Sequence, residues 1–312
     1  MNTNDFILGK ISDYNINLTG PLIKKFKNSK KILYSSVNEI APFLYQEKIK
    51  EEIILKFLEK RQEFLDNQKI YLDKIHFEVN DLKRNFGIYI ISFSDNNYPK
   101  QLKHIQNIPL NLYTKGDINF DYSKSIAIVG SRNISSYARE KISEISKDLS
   151  KKGFCIISGL ALGADGQAQS SAVANGGKTI AVMPFLSDKI YPKENTQLAR
   201  DILFNNGALI SEKMLFDKVY DPFLFKDRNR LISGLSRAIL IVEGSNKSGS
   251  LSQYNHAKRQ NKIIFTLKPI KEYAGSYLPE KIINDGGFAI ESATEILNVL
   301  NGKIIGKQTK LV

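Results

Sequence analysis

The stretch "SIAIVGSRNISSYAREKISEISKDLSKKGFCIIS", residues 125–158, has an apolar run at each end and a segment of helical length between them. Gly153 can end that helix in a left-handed conformation. One face of the helix would be formed by Ala138, Ile142, Ile145 and Leu149. Apolar strands joined by helices are typical of a parallel sheet covered on both faces. The stretch therefore predicts a strand–helix–strand unit.

The same alternation continues along the chain and predicts an α/β fold with a doubly wound, mostly parallel, Rossmann-like sheet. The predicted strands are SIAIVG (125–130), FCIIS (154–158), TIAVM (179–183), ALIS (208–211), AILIVEG (238–244) and KIIFTL (262–267). Before them, residues 18–34 and 50–75 carry apolar residues at helical spacing. We therefore expect a small all-helical domain over residues 1–85 and a Rossmann-like domain over residues 86–312.

The composition indicates a polyanionic partner. The 312 residues include 45 Lys and Arg against 32 Asp and Glu, which gives a net charge of +13. Most of the surplus, and most of the arginines, fall in residues 121–312. This distribution favours a nucleic acid or another phosphate ligand. Mutational bias in an A/T-rich genome is the alternative source of so many lysines.

The single cysteine and the hydropathy pattern indicate a protein of the reducing cytoplasm. Cys155 has no second cysteine to pair with, and its apolar surroundings predict a buried, inert thiol. No apolar run has the length of a membrane span, and the amino terminus does not look like a signal peptide. No membrane partner is expected.

Ligands of an open parallel sheet bind beyond the carboxyl ends of its strands, so the residues that follow each strand matter most. After the first strand of this sheet, Gly130 permits a tight turn, Ser131 offers donors, and Arg132 adds a fork-shaped donor for phosphate. The sequence here is not GxGxxG, so no nicotinamide cofactor, nor any other cofactor, is predicted.

Three later segments also follow predicted strands and carry polar residues. In "SGLALGADGQAQSSA" (158–172), Asp165 either caps a helix or contacts a ligand. Lys193 follows Tyr-Pro and is either a ligand contact or a solvated side chain. The third segment follows the strand 238–244 and contains Ser248, Gly249 and Ser250. It forms either an anion-binding loop or a generic turn.

In "FKDRNRLISGL" (225–235), two arginines flank an asparagine just before an apolar, helix-like stretch. We expect Arg228, Asn229 and Arg230 to bind phosphates or a carboxylate. Phe225 would offer a base a stacking face. The alternative is a structural ion pair with Asp227 or with Asp221.

No catalytic constellation is present, so an enzyme is not predicted. His76, His104 and His256 are far apart in sequence and lack metal-ligand spacing. P-loop, GxSxG and HExxH motifs are absent. Neither a catalytic residue nor a metal site is expected.

Taken together, residues 88–267 resemble the DNA processing protein A family, also called DprA or Smf. The segments that carry the resemblance are "YPKQLKHIQNIPLNLYTKG", "IAIVGSRNISSYARE", "GFCIISGLALGADGQAQ", "NGGKTIAVM", "YPKENTQLARDI", "GALISE" and "FKDRNRLISGLSRAILIVEGSNKSGSLSQYNHAKRQNKIIF". The helical amino terminus is similar to the SAM-like or helix-hairpin-helix domain that often precedes this fold.

The resemblance implies a single-stranded-DNA-binding recombination mediator, usually a homodimer, that delivers a RecA-type recombinase to incoming DNA in natural transformation. It also implies a basic pocket in the Rossmann-like domain. The expected DNA- or phosphate-binding residues are Gly130, Ser131, Arg132, Ser158, Gly159, Lys193, Phe225, Arg228, Asn229, Arg230, Ser248, Gly249 and Ser250.

Several residues depart from the family pattern. Leu162 replaces a basic residue, Gln169 replaces a histidine, and Lys226 replaces a proline. The segment from Pro184 to Ser187 lacks the family's glycines. These changes keep two alternative functions open: a Rossmann-like sensor of a small nucleotide ligand, and a nucleotide-processing hydrolase.

Overall fold

The computed structural model describes residues 1–214, 223–270 and 273–302. Residue contacts divide the chain into two compact units, Met1–Lys115 and Gly116–Val312. This division lies later in the chain than the boundary expected after residue 85. An independent domain formed by residues 1–85 alone therefore stays a prediction.

The first unit consists of helices followed by an antiparallel pair of strands. Its elements are α1 (Thr3–Ile11), α2 (Ile16–Phe26), α3 (Ser29–Tyr34), α4 (Val37–Gln46), α5 (Glu51–Asp66), α6 (Gln68–Phe86), β1 (Tyr89–Ser92) and β2 (Asn111–Gly116). In the strand pair, Tyr89 lies opposite Thr114 and Ser92 lies opposite Asn111.

Each of the two predicted helical stretches is divided into two helices. Lys27 ends α2 in the left-handed region at φ 60°. The Asn28 side chain then accepts a hydrogen bond from the backbone N–H of Lys31 and so begins α3. The longer stretch divides at Asn67, between α5 and α6.

The second unit alternates strands and helices, as the sequence predicts. Its elements are β3 (Ser125–Val129), α7 (Ser136–Lys151), β4 (Cys155–Ser158), α8 (Ala164–Ala174), β5 (Thr179–Val182), α9 (Thr196–Phe204), β6 (Ala208–Ser211), α10 (Phe223–Leu235), β7 (Ala238–Ile241), α11 (Gly249–Arg259), β8 (Ile263–Leu267), α12 (Tyr277–Asn284), β9 (Phe288–Ile290) and α13 (Ala293–Leu300).

The strands of the second unit form a parallel sheet in the order β6-β5-β4-β3-β7-β8-β9. Ile126 of β3 pairs with Ile156 of β4 on one side and with Ala238 of β7 on the other. The chain thus builds outward from β3 in one direction and then returns to build outward from it in the other. The predicted fold class is confirmed, and the switch in strand order lies between β3 and β7.

The core of the second unit packs as the helical spacing predicts. The four apolar residues predicted on one face of α7 are fully buried together with side chains of β3, β4 and β7. Gly153, just after α7, has a φ of 76°. The thiol of Cys155 is free and buried, and burial raises its pKa.

Candidate functional site

Two adjoining cavities lie at the carboxyl ends of the central strands of the second unit. The first has a volume of about 390 Å³ and is bordered by the turn after β3, by α10 and by the start of α11. The second has a volume of about 330 Å³ and is bordered by the segments after β4 and β5. Arg132, Ala161 and Phe225 line both cavities. We call the two cavities together the trough.

Most of the predicted site residues line the trough. The first cavity receives Gly130, Ser131, Arg132, Phe225, Arg228, Asn229, Ser248, Gly249 and Ser250. The second receives Gly159 and Lys193, again with Arg132 and Phe225. The strand order explains this convergence, because the ends of parallel strands meet at one edge of the sheet.

Arg132 and Lys193 supply accessible positive charge to the trough. Both side chains are exposed, and both line the second cavity. Across residues 1–214, 223–270 and 273–302, no carboxylate forms an ion pair with either of them. Their charges are therefore available to an anionic ligand.

Arg228 borders the first cavity, but its guanidinium also holds the edge of the sheet together. The side chain is only 6% exposed. Its Nη1 donates to the carbonyl oxygen of Gly159, at 2.8 Å, and to that of Val182. Burial lowers the pKa of Arg228 to about 10, and the nearby Asp165 carboxylate opposes that fall. The side chain thus ties α10 to the ends of β4 and β5.

The position of Arg228 depends on a glycine and on a buried acid. A Cβ atom at Gly159 would lie 2.3 Å from the Arg228 Nη1, so only glycine leaves room for the guanidinium. The Asp165 carboxylate accepts a hydrogen bond from the Gly159 N–H at 2.9 Å. Burial raises the pKa of Asp165, and the Arg228 charge opposes that rise. Asp165 thus lines the first cavity and holds the Gly159 backbone rather than capping α8.

The expectation that Arg230 points toward the ligand is corrected by its placement. Arg230 is 3% exposed, lines neither cavity, and forms a buried ion pair through Nη2 with Glu212. Glu212 directly follows β6. The pair therefore fastens α10 to the end of that strand. Of the two acids weighed as partners for these arginines, Asp221 lies outside the described residues.

Ser158 is also placed differently from the expectation. Its side chain is fully buried, and its hydroxyl donates to the carbonyl oxygen of Ile128 at 2.6 Å. It lines neither cavity. The hydroxyl joins β4 to β3, so its role is to hold the two central strands together at the base of the trough.

The start of α11 forms the wall of the first cavity beyond β7. The Ser248 hydroxyl donates to the Ser245 carbonyl at 2.9 Å, and the Ser250 hydroxyl donates to the Glu243 carbonyl at 3.3 Å. Gly249 is exposed. Because the first N–H groups of a helix have no partner within the helix, this end of α11 suits an anion.

An aromatic pair lines the trough. The rings of Tyr191 and Phe225 meet edge to face, with centroids 5.6 Å apart and an interplanar angle of 72°. Both rings line the second cavity together with Leu162, which is 40% exposed. These apolar groups offer a flat base a surface beside the two exposed cations.

Of the other departures from the family pattern, Lys226 is exposed and lines the first cavity, whereas Gln169 and the segment from Pro184 to Ser187 are structural. Gln169 is fully buried and bridges two backbone segments: it accepts from the Leu160 N–H at 3.0 Å and donates to the Ile180 carbonyl at 3.0 Å. The segment from Pro184 to Ser187 lines neither cavity. Its Leu186 N–H donates to the Lys213 carbonyl at 2.9 Å.

Sequence reasoning missed three residues that shape the trough. Tyr191 belongs to the same Tyr-Pro-Lys segment as Lys193 and lines the second cavity. The amide of Asn195 donates to the Leu160 carbonyl at 2.8 Å and so joins the two loops of the second cavity. Glu243 is 4% exposed and accepts from the Ser135 hydroxyl at 2.6 Å. An acid at the end of an otherwise apolar strand was the available signal for Glu243.

Two features are absent from the described part of the chain. Within it, no group of three or more His, Cys, Asp or Glu side chains is arranged to hold a metal ion. Among the same residues, no helix combines the length and the apolar character needed to cross a bilayer.

Comparison with known proteins identifies the relatives of this chain. The sequence model of DNA recombination-mediator protein A matches residues 89–301. The DNA processing protein DprA of Bacillus subtilis (strain 168) is 37% identical over 220 residues, which are 70% of this chain and 73% of that protein.

Two solved structures share the fold. The X-ray structure of DNA processing protein A from Streptococcus pneumoniae aligns with a TM-score of 0.76 at 25% identity, over 95% of this chain and 98% of that one. DNA processing protein A from Helicobacter pylori, described for its single-stranded DNA binding mode, aligns with a TM-score of 0.62 at 29% identity, over 70% of this chain and 97% of that one.

The resemblance that the motifs indicate is thereby confirmed. Because the matched region covers more than half of its residues, the chain belongs to the DNA recombination-mediator protein A family, which includes DprA and Smf.

Proposed function

We propose that this chain binds single-stranded DNA in the trough, without catalysing a reaction, and presents the strand to a RecA-type recombinase. The observation that carries the proposal is the position of Arg132. Its guanidinium is exposed, lines both cavities, and lies beside the Tyr191–Phe225 ring pair.

The chemistry of the trough suits an unpaired strand better than a duplex. A single strand exposes both phosphates and base faces, and proteins bind it by combining backbone charge with aromatic stacking. Arg132 and Lys193 provide the charge, the start of α11 provides anion-binding amides, and Phe225 with Tyr191 provides the aromatic surface. The Helicobacter pylori relative is described as a single-stranded DNA binder, which supports the same ligand here.

The oligomeric state, the cellular location and the protein partner are inferred from family membership. We infer that the chain acts as a homodimer in the cytoplasm and that the recombinase is its protein partner. Phe225, Arg228 and Asn229 would contact the strand from α10, while Gly130, Ser131, Gly159, Ser248, Gly249 and Ser250 would contact it largely through backbone groups. Arg230 and Ser158 are excluded from direct contact because both are buried outside the trough.

The proposal predicts a selective effect of Arg132→Ala on binding to a fluorescent single-stranded oligonucleotide. We expect binding to weaken about 10-fold, because one phosphate contact is lost, and the salt dependence of log K to flatten by about 0.7. Arg200→Ala is the matched control. Arg200 is also exposed, but it lies on α9 and lines neither cavity.

The result that contradicts the proposal is equal binding by wild type and Arg132→Ala across the salt series. Isothermal calorimetry with nucleoside monophosphates tests the alternative ligand. Saturable heat with a mononucleotide, together with no binding of the oligonucleotide, would replace the strand-binding function with that of a nucleotide sensor. Release of free base during the titration would indicate a hydrolase instead.

A further inference from the structure

The first unit contains a lysine-rich segment without any acidic residue. Between Asp13 and Glu39 the chain has no Asp or Glu. The same interval contains a dense group of lysines, which we call the lysine face: Lys24, Lys25, Lys27, Lys30 and Lys31. All of them are exposed.

The lysine face differs from the other cations of the same unit. Elsewhere in this unit, Lys10 pairs with Glu78 at 2.5 Å, and Lys56 pairs with Asp13 at 2.9 Å. Throughout residues 1–214, 223–270 and 273–302, by contrast, no carboxylate forms an ion pair with any lysine of the face. Apart from the contacts of Lys25 and Lys31 with aromatic rings, this charge is left for a ligand outside the described chain.

Helix stability explains only part of this arrangement of lysines. Lys24 and Lys25 occupy the last turn of α2, where the helix dipole favours cations. Lys31 falls in the last turn of the six-residue helix α3, where the dipole also favours a cation, whereas Lys30 lies at the start of α3, where the dipole disfavours one. The position of Lys30 therefore gains nothing from the helix dipole.

The apolar side chains of the same helices are not available for contact. Leu22, Ile23 and Phe26 of α2 are buried in the unit. The exposed Tyr34 at the end of α3 is engaged by its own unit, because its ring meets Phe64 edge to face and its hydroxyl donates to Gln68. The lysine face therefore offers mainly positive charge, and the Tyr34 ring of α3 already contacts its own unit although it stays 47% exposed.

We propose that the lysine face is a docking surface for the phosphate backbone of double-stranded nucleic acid. Ammonium groups bind phosphates as point charges and read no base. A duplex presents about one phosphate charge per 1.7 Å of its axis while keeping its bases stacked and out of reach. The ligand form and the unit both differ from those of the trough, so this inference stands apart from the proposed single-strand function.

The test removes three positive charges while preserving the unit. The triple variant Lys24→Gln, Lys27→Gln, Lys30→Gln leaves Lys25, whose ammonium lies 4.0 Å from the Phe43 ring centroid, in place. Removing Lys30 takes a cation away from a helix start, so the variant is not expected to lose stability. Thermal unfolding of the full chain checks this.

A matched control removes the same charge elsewhere in the first unit. Lys48→Gln, Lys69→Gln, Lys74→Gln changes three other exposed lysines. Lys48 has a φ of 59° and Lys27 one of 60°, so each triple variant alters one left-handed position. The two variants thus differ in the location of the charge and not in its amount.

The readout is anisotropy of a fluorescent duplex titrated at salt concentrations between about 50 and 200 mM. For the lysine-face variant we expect the slope of log K against log salt to flatten by about 2 to 3, and affinity to fall about 10-fold or more. We expect the control to change affinity by less than about 2-fold. Equal effects of the two variants, or no effect of either, would overturn the proposal.

Two parallel measurements separate the remaining outcomes. Binding of wild type to vesicles containing phosphatidylserine, with none to the duplex, would make the face a membrane surface and overturn the proposal.

Arg132→Ala is titrated with the single strand in the same series. If that variant binds normally, the trough proposal fails, while the duplex result still decides the lysine face on its own.

Discussion

Arg228 and Arg230 are two positions apart in α10, and an α-helix turns by about 200° over two residues. The two side chains therefore leave the helix on opposite sides. Phe225, Arg228 and Asn229 share the side that faces the first cavity, as the spacing of three and four residues requires. Arg230 faces the other way and meets Glu212.

The buried pair at Arg230 yields a prediction about stability. Arg230→Ala would leave the Glu212 carboxylate buried without its partner, so we expect the free energy of unfolding to fall by about 3 to 5 kcal/mol. Replacing both members, as Arg230→Met with Glu212→Leu, would remove two desolvated charges together. We expect the double variant to recover most of the loss.

Urea unfolding of wild type, Arg230→Ala and the double variant compares their free energies of unfolding. Single-strand binding by the folded double variant should match that of wild type, because neither residue lines the trough. A double variant as unstable as Arg230→Ala, or one that is stable but fails to bind, would contradict this placement of the pair.

Two of the predicted site residues lie at the trough because their position depends on strand order. Arg132 and Lys193 follow strands, and the edge of a parallel sheet brings such residues together whatever the details of the loops. The role of Arg228 and Arg230 depends instead on where α10 begins. The sequence favoured a helix beginning after the arginines, whereas α10 includes both, and that difference turns one of them away from the trough.

At the scale of elements, the parallel strands were predictable because their apolar runs are continuous. The predicted run ALIS coincides with β6, and the others differ from the observed strands by a few residues at their ends. β9 was missed, since it is only three residues long and just one of them is buried. The divisions within the helical stretches depended on single residues, Lys27 and Asn67, whose backbone conformations periodicity does not reveal.

The carboxyl end of α10 provides a prediction about pH. The Lys262 ammonium donates to the Ser236 carbonyl at 2.6 Å and to the Gly234 carbonyl at 3.4 Å. Burial lowers the pKa of Lys262 to about 8. The unfolded chain keeps this proton up to a pH of about 10.4, so between these two values the unfolded state binds more protons than the folded state.

The stability that Lys262 contributes should therefore rise with pH above about 8. We expect the difference in unfolding free energy between wild type and Lys262→Met to grow in favour of wild type by about 1 to 2 kcal/mol between pH 7 and pH 9.5. Denaturant unfolding of both proteins at the two pH values measures the change. A difference that stays constant or shrinks would show that burial does not depress this pKa.

At the scale of the whole molecule, the division at Lys115 makes a prediction about fragments. In the first unit, the buried carboxylate of Asp5 accepts from the Ser94 N–H at 2.7 Å, and the Asn111 amide donates to the Asp5 carbonyl at 3.1 Å. The hydroxyls of Tyr14 and Tyr113 lie 2.8 Å apart. The helices thus depend on the segment that includes β1 and β2.

A fragment of residues 1–115 should unfold cooperatively, and one of residues 1–87 should be much less stable. Losing the partners of Asp5 and Tyr14 would cost about 2 kcal/mol or more, which corresponds to a melting temperature lower by about 10 °C. Circular dichroism melts of the two fragments compare them directly. Equal melting temperatures would instead support the domain boundary that the sequence predicted after residue 85.

During synthesis, the trough can form only after all the segments that make its walls have been translated. Its walls come from the turn after β3, from α10 and from the start of α11, which are widely separated along the chain. A nascent chain that has left the ribosome only as far as β6 carries Arg132 but lacks both helices. The finished groove therefore arises only once translation has passed α11.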